Sequence, residues 1–166
     1  MSALCNGVGR CLLYDTQTFA LSCNNQHMKI LIQRNGTNGE LNFGSLIIDG
    51  EVFCDVMEKP RFMSLSGTWI TDRTPTMNKC PAGRFMLRFQ RLVSGREQLV
   101  VYKNTLTRAR FVSDPVSDRS GNFALGRRVQ GDDTLVGGEQ CLEAFERIVR
   151  EYLHKNGNYS MHIEVI

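Results

Sequence analysis

Leu41-Asn42-Phe43-Gly44-Ser45-Leu46-Ile47-Ile48-Asp49-Gly50-Glu51-Val52-Phe53-Cys54-Asp55-Val56-Met57 is the stretch that decides the fold class. Asp49-Gly50 suits a two-residue turn that needs positive φ, so Leu41 to Asp49 and Val52 to Met57 read as the arms of a β-hairpin. Lys59-Pro60 ends the second arm, because proline has no N–H to give to a ladder. Upstream, Met28-Lys29-Ile30-Leu31-Ile32-Gln33-Arg34 opens the first clear strand pattern. Met1 to His27 has neither helical nor alternating periodicity. It reads as an extension, either an upstream start or an arm that docks, ahead of one domain over 28–166.

Downstream, residues 60 to 82 carry Pro75, Pro81 and Gly67 among many Ser and Thr, and read as a long irregular excursion. Arg84 to Leu92 and Gln98 to Lys103, joined around Ser94-Gly95, form a second predicted hairpin. Phe85, Leu87 and Phe89 share one face of it, while Arg84, Met86, Arg88 and Gln90 make the other face polar and partly wet. The period changes over Glu139 to Lys155, where Cys141, Leu142, Phe145, Ile148, Val149, Tyr152 and Leu153 build one apolar helical stripe. Asn156-Gly157 supplies the stop, and Tyr159 to Ile166 closes the chain as an alternating strand. The expected fold is mainly β, sandwich- or barrel-like and built of antiparallel hairpins, covered by a single helix.

The 166 residues are 42% hydrophobic and 22% charged, which excludes collagen-like, coiled-coil and wholly disordered chains. A net charge of +3 is too small to make nucleic acid the expected partner. No run approaches the roughly 20 apolar residues that cross a bilayer, so no membrane insertion is expected. The six cysteines, Cys5, Cys11, Cys23, Cys54, Cys80 and Cys141, include no C-x-x-C pair and argue against a structural zinc site. Without an export signal they read as free, mostly buried thiols in a reducing, cytoplasmic setting. No metal and no cofactor is expected.

Of the three histidines, His27 lies in the N-terminal segment, His154 near the helix C-terminus and His162 in the last strand. Each reads as structural before catalytic. Gly137-Gly138 ahead of the helix reads as a tight entry turn, with an anion-binding helix start as the alternative. One region is chemically dense: Asp114, Asp118, Arg119, Ser120, Gly121 and Asn122, then Arg127, Arg128, Gly131, Asp132, Asp133 and Thr134. A solvated loop explains it. The functional alternative is a polar site loop for a charged ligand, with Asp132 and Asp133 as acid and base if one were buried.

The order of these elements resembles a family of phages and bacteria whose members share a glycine-led hairpin ending in Phe-Cys-Asp and Leu-Glu. Here the matching residues are Phe43 to Glu58, with Phe53-Cys54-Asp55 and Met57-Glu58. Pro81-Ala82-Gly83-Arg84-Phe85 is similar to that family's next strand entry, and Ser120-Gly121-Asn122 and Leu135-Val136-Gly137 to its later blocks. The family is similar in turn to the L,D-transpeptidase catalytic domain, where a cysteine nucleophile and a histidine base act on peptidoglycan.

Here Arg119 takes the histidine's place and Asp133 the cysteine's. Arginine stays protonated and cannot serve as a base. Asp133 is a poor nucleophile toward an amide, and the two would form a salt bridge instead. The resemblance therefore implies a non-catalytic relative that binds a cell-wall peptide or a protein partner through Arg119, Ser120, Gly121, Asn122, Arg127, Arg128 and Asp133. An active hydrolase or transpeptidase with a relocated Cys141–His162 pair is the first alternative. A phage structural or host-interaction protein is the second. A phage protein of this kind would reach the wall through a separate holin.

Overall fold

The computed structural model describes residues 27–38, 41–58, 80–113 and 122–166. The expected N-terminal extension apart from His27, most of the 60–82 excursion, and Asp114, Asp118, Arg119, Ser120 and Gly121 lie outside the described residues.

The predicted hairpin forms from β2 (Asn42–Ile48) and β3 (Glu51–Glu58). Asp49 at φ 52° and Gly50 at φ 91° both take positive φ, the backbone of a turn whose twist matches the strands it joins. β1 (Ile30–Thr37) pairs antiparallel with β2. The second predicted hairpin is β4 (Gly83–Arg91) and β5 (Glu97–Lys103). β6 (Leu106–Val112) follows through a turn at Asn104, φ 57°. β7 (Phe123–Arg128) and the two-residue β8 (Leu135–Val136) precede α1 (Gly138–Asn156), and β9 (Met161–Val165) ends the fold.

The strands form one sheet in the order β3-β2-β1-β9-β4-β5-β6-β7-β8, and β7 also pairs with β3. That last pairing closes the sheet on itself, so the fold is a barrel, with β8 as an appendage on β7. Closure leaves neither side of β3 or β7 as a long free edge. Most neighbours are antiparallel, but β9 runs parallel to β1 and β7 parallel to β6. Hairpins alone therefore do not make this barrel.

The region expected to be a polar loop without an apolar period contains β7, and this corrects the sequence reading. Phe123 and Leu125 point into the main core, while Ala124 packs outward against Phe43 and Met57. A strand covered on both faces shows no alternation, which is why the period-2 test passes over it.

The interior is filled from the inward faces of the ring and by α1, whose Cys141, Leu142, Phe145, Val149 and Leu153 join the same cluster. Phe145 lies 4.9 Å from the Phe111 ring and 6.1 Å from that of Phe53, centroid to centroid. The helix thus seals the interior beside the start of β3. Gly157, at φ 63°, ends it by donating its N–H to the carbonyls of the last turn, as Asn156-Gly157 predicted.

Among the described residues no helix is long and apolar enough to cross a membrane.

Candidate functional site

At the end of β3 away from the helix, the barrel wall turns polar. Ile30, Ile32 and Arg34 follow one another on the inward side of β1, as Val56 and Glu58 do on β3. Arg34 reaches across β2 to Glu58, with Nε 2.9 Å from Oε2 and Nη2 3.1 Å from Oε1. Gly44 lies between them, paired with Arg34 on one side and Val56 on the other. A Cβ at Gly44 would stand 2.3 Å from the Gln33 carbonyl oxygen, so only glycine allows β1 this close.

The Glu58 carboxylate also accepts the Cys80 N–H at 2.9 Å, and Arg34 donates to the Cys80 carbonyl. Glu58 is only 2% exposed and Arg34 14%, so both charges depend on these bonds in place of water. Beside them Asn42, opposite Glu58 in the ladder, keeps a buried side-chain N–H group without a partner.

A second polar cluster sits on the outside of the wall. The Arg128 guanidinium lies 3.7 Å over the Phe43 ring and 3.2 Å from an Asp133 carboxylate oxygen. The Arg128 backbone N–H donates to Asp55 at 2.7 Å, and Asn38 donates to the other oxygen of Asp133. These bonds fasten the β7–β8 turn to the β1–β2 connection. Asp133 thus has a cationic partner, but it is Arg128. The expected partner, Arg119, lies outside the described residues, as do Ser120 and Gly121.

Asn122 is buried, and its side-chain oxygen accepts the Arg110 N–H at 3.0 Å, which sets the start of β7 against β6. Arg127 is exposed. Asp132 and Asp133 are exposed too, and Asp132 accepts the Asp133 N–H at 2.7 Å. Neither has the burial that an acid–base division of labour requires. Gly137 takes φ 67°, and Gly138 is pressed against the Ser113 and Leu125 carbonyls, so the pair makes a tight entry turn.

The relocated pair is not brought together. Cys141 is 2% exposed and faces the interior, where its thiol hydrogen-bonds Cys54. His162 is exposed on the outer side of β9, between the buried Met161 and Ile163. The hydrogen bond to Cys141, followed by burial, pushes the Cys54 thiol up. Burial, then the Glu58 charge, pushes Cys80 up to about 12. Burial also raises the Glu146 carboxyl on α1, against the lowering effect of Arg96, Arg150 and the Leu99 N–H.

No family model, curated protein or solved structure matches this chain.

An open groove of about 990 Å³ runs over the outer face of β1, β9 and β4. Leu31, Ile47 and Met86 supply apolar floor, and Lys29, Arg84, His162 and Glu164 supply charge and hydrogen-bonding capacity. Among the described residues no cluster of His, Cys, Asp and Glu could hold a metal ion.

Sequence reasoning named His162 and the polar face of Arg84 and Met86, but gave no site role to Lys29 and Glu164 in the groove or to Arg34, Asn42 and Glu58 at the polar end of the barrel. Strand parity alone could have found Arg34, two residues on from Ile32, and Glu58, two on from Val56. Nothing local could have found the groove, because β1 and β9, neighbours in the sheet, lie at opposite ends of the described chain.

Proposed function

We propose that this chain is a non-catalytic binding domain, diverged from the transpeptidase-like family it resembles, and that it holds a carboxylate-bearing cell-wall peptide. The groove over β9 is the observation that carries this reading. A short peptide has an apolar side, which Leu31, Ile47 and Met86 can cover. It also carries carboxylates, which Lys29 and Arg84 can meet, and an amine, which suits Glu164. Arg128, by contrast, is already bonded to Asp133 and stacked on Phe43.

Binding is favoured over acyl transfer because such transfer needs a thiolate within reach of a base. The three described cysteines are buried; the hydrogen bond with Cys141 and then burial raise the Cys54 thiol, and burial raises that of Cys80, away from thiolate formation. His162 stands outside the wall that encloses Cys141.

The test is calorimetric titration of the full chain with a purified stem peptide, alongside mass spectrometry of the same mixture. The expected result is saturable binding, no cleaved or exchanged peptide, and at least about a tenfold loss of affinity in Arg84→Ala but not in Arg127→Ala. Product that disappears in Cys141→Ala overturns the non-catalytic reading. Absence of binding overturns the peptide reading and leaves a protein partner as the ligand to seek.

A further inference from the structure

Cys54 and Cys141 lie away from the groove, where β3 faces the start of α1. In a regular strand, consecutive side chains point to opposite faces. The β2–β3 register shifts between Leu46 and Ile47, and Phe53 has no partner across from it. This bulge lets both Phe53 and Cys54 approach α1. Phe53 meets the Phe145 ring, and Cys54 meets Cys141, one helical turn before Phe145 on the same face. The two thiols hydrogen-bond each other in the interior, 8% and 2% exposed.

We propose that Cys54 and Cys141 are a modification site, at which oxidation by a small disulfide of the glutathione class joins them and ties the first turn of α1 to β3. One thiol, as thiolate, attacks the small disulfide, breaking its S–S bond and releasing one small thiol. The neighbouring cysteine then attacks the mixed disulfide, forms the Cys54–Cys141 bond and releases the second small thiol. Two S–H bonds and one S–S bond are lost. One S–S bond and two small-molecule S–H bonds form, so two electrons and two protons pass to the oxidant.

The first attack requires the opening turn of α1 to lift, since both sulfurs are enclosed. It is therefore slow. The second attack is fast, because the partner thiol is held beside the mixed disulfide and competes well with free thiol in solution. The bond closes a loop of about 90 residues, the regime in which a cross-link most restricts the unfolded chain. Cys80, buried at the other end of β3 beside Glu58 and Arg34, serves as an internal control.

The full chain is equilibrated under native conditions with graded oxidised and reduced glutathione, quenched by alkylation, digested and analysed by mass spectrometry. The expected dominant product is the Cys54–Cys141 linked peptide, formed in Cys80→Ser as in wild type. It should be replaced by scrambled pairs when the same oxidation is run in urea. Oxidised wild type should melt on the order of 10 °C above its reduced form, a shift absent in Cys141→Ser. Recovery of Cys54 and Cys141 as alkylated free thiols, or as two separate glutathione adducts, overturns the proposal. That readout comes from wild type and does not depend on any variant folding.

Discussion

Glu58 and Arg34 together hold the barrel's polar end, and the carboxylate is the more buried of the two. The Glu58 carboxylate meets the Arg34 guanidinium and the Cys80 N–H, so it joins β1, β3 and the entry to β4. Removing one member of a buried pair leaves the other charge desolvated and unmatched, which costs about 3–5 kcal/mol. Glu58→Gln is expected to lose at least about 3 kcal/mol in urea unfolding. The double variant Arg34→Met with Glu58→Leu should lose less than the sum of its single changes. A Glu58→Gln protein within about 1 kcal/mol of wild type would show that the pair contributes little.

The charged residues that stand out in the sequence, Arg127, Arg128, Asp132 and Asp133, proved to be exposed on or beside the β7–β8 turn. Density of charge marks water contact more reliably than it marks a site. A charge in step with an apolar series, as Arg34 is with Ile30 and Ile32, is the more informative signal, because its burial demands a partner.

The helix docks through a glycine that propensity alone would replace. Alanine favours a helix over glycine by roughly 0.5–1 kcal/mol. At Gly138, however, a Cβ would stand 2.1 Å from the Ser113 carbonyl oxygen and 2.9 Å from that of Leu125. Gly138→Ala is therefore expected to destabilise by about 1–3 kcal/mol, the usual cost of overpacking, with the thermal midpoint as the readout. A neutral or stabilising result would mean that the helix start sits further from β6 and β7.

At this scale the sequence is readable where structure is local. The Asp49-Gly50 hairpin, the α1 stripe with its Gly157 stop and the alternating β9 each carry their own period or turn. β6 and β7 escaped notice for different reasons. β6 does alternate, with Ala109 and Phe111 buried, but only over a short span after the Asn104 turn. β7 is buried on both sides from Phe123 to Gly126 and so has no period to detect.

For the molecule as a whole, the decisive pairings join residues far apart in the chain. β9 lies between β1 and β4, parallel to the first and antiparallel to the second, and β3 closes on β7. No local pattern encodes such contacts, so a mainly β fold, sandwich- or barrel-like, was legible while the pairings that decide between the two were not. Deleting residues 157–166 would remove β9 and open the ring between β1 and β4. The shortened chain is expected to lose its cooperative thermal transition, monitored by circular dichroism. A sharp transition retained near the wild-type midpoint would show that β1 and β4 can close without it.

The position of β9 also bears on how the chain is made. Well over a hundred residues are synthesised between β1 and the strand that pairs beside it. At about 5–20 residues per second, β1 and β4 leave the ribosome many seconds before that partner exists. Throughout that interval each offers an unpaired edge to neighbouring nascent chains. The chain therefore carries uncovered strand edges through much of its synthesis and covers them only once β9 has emerged.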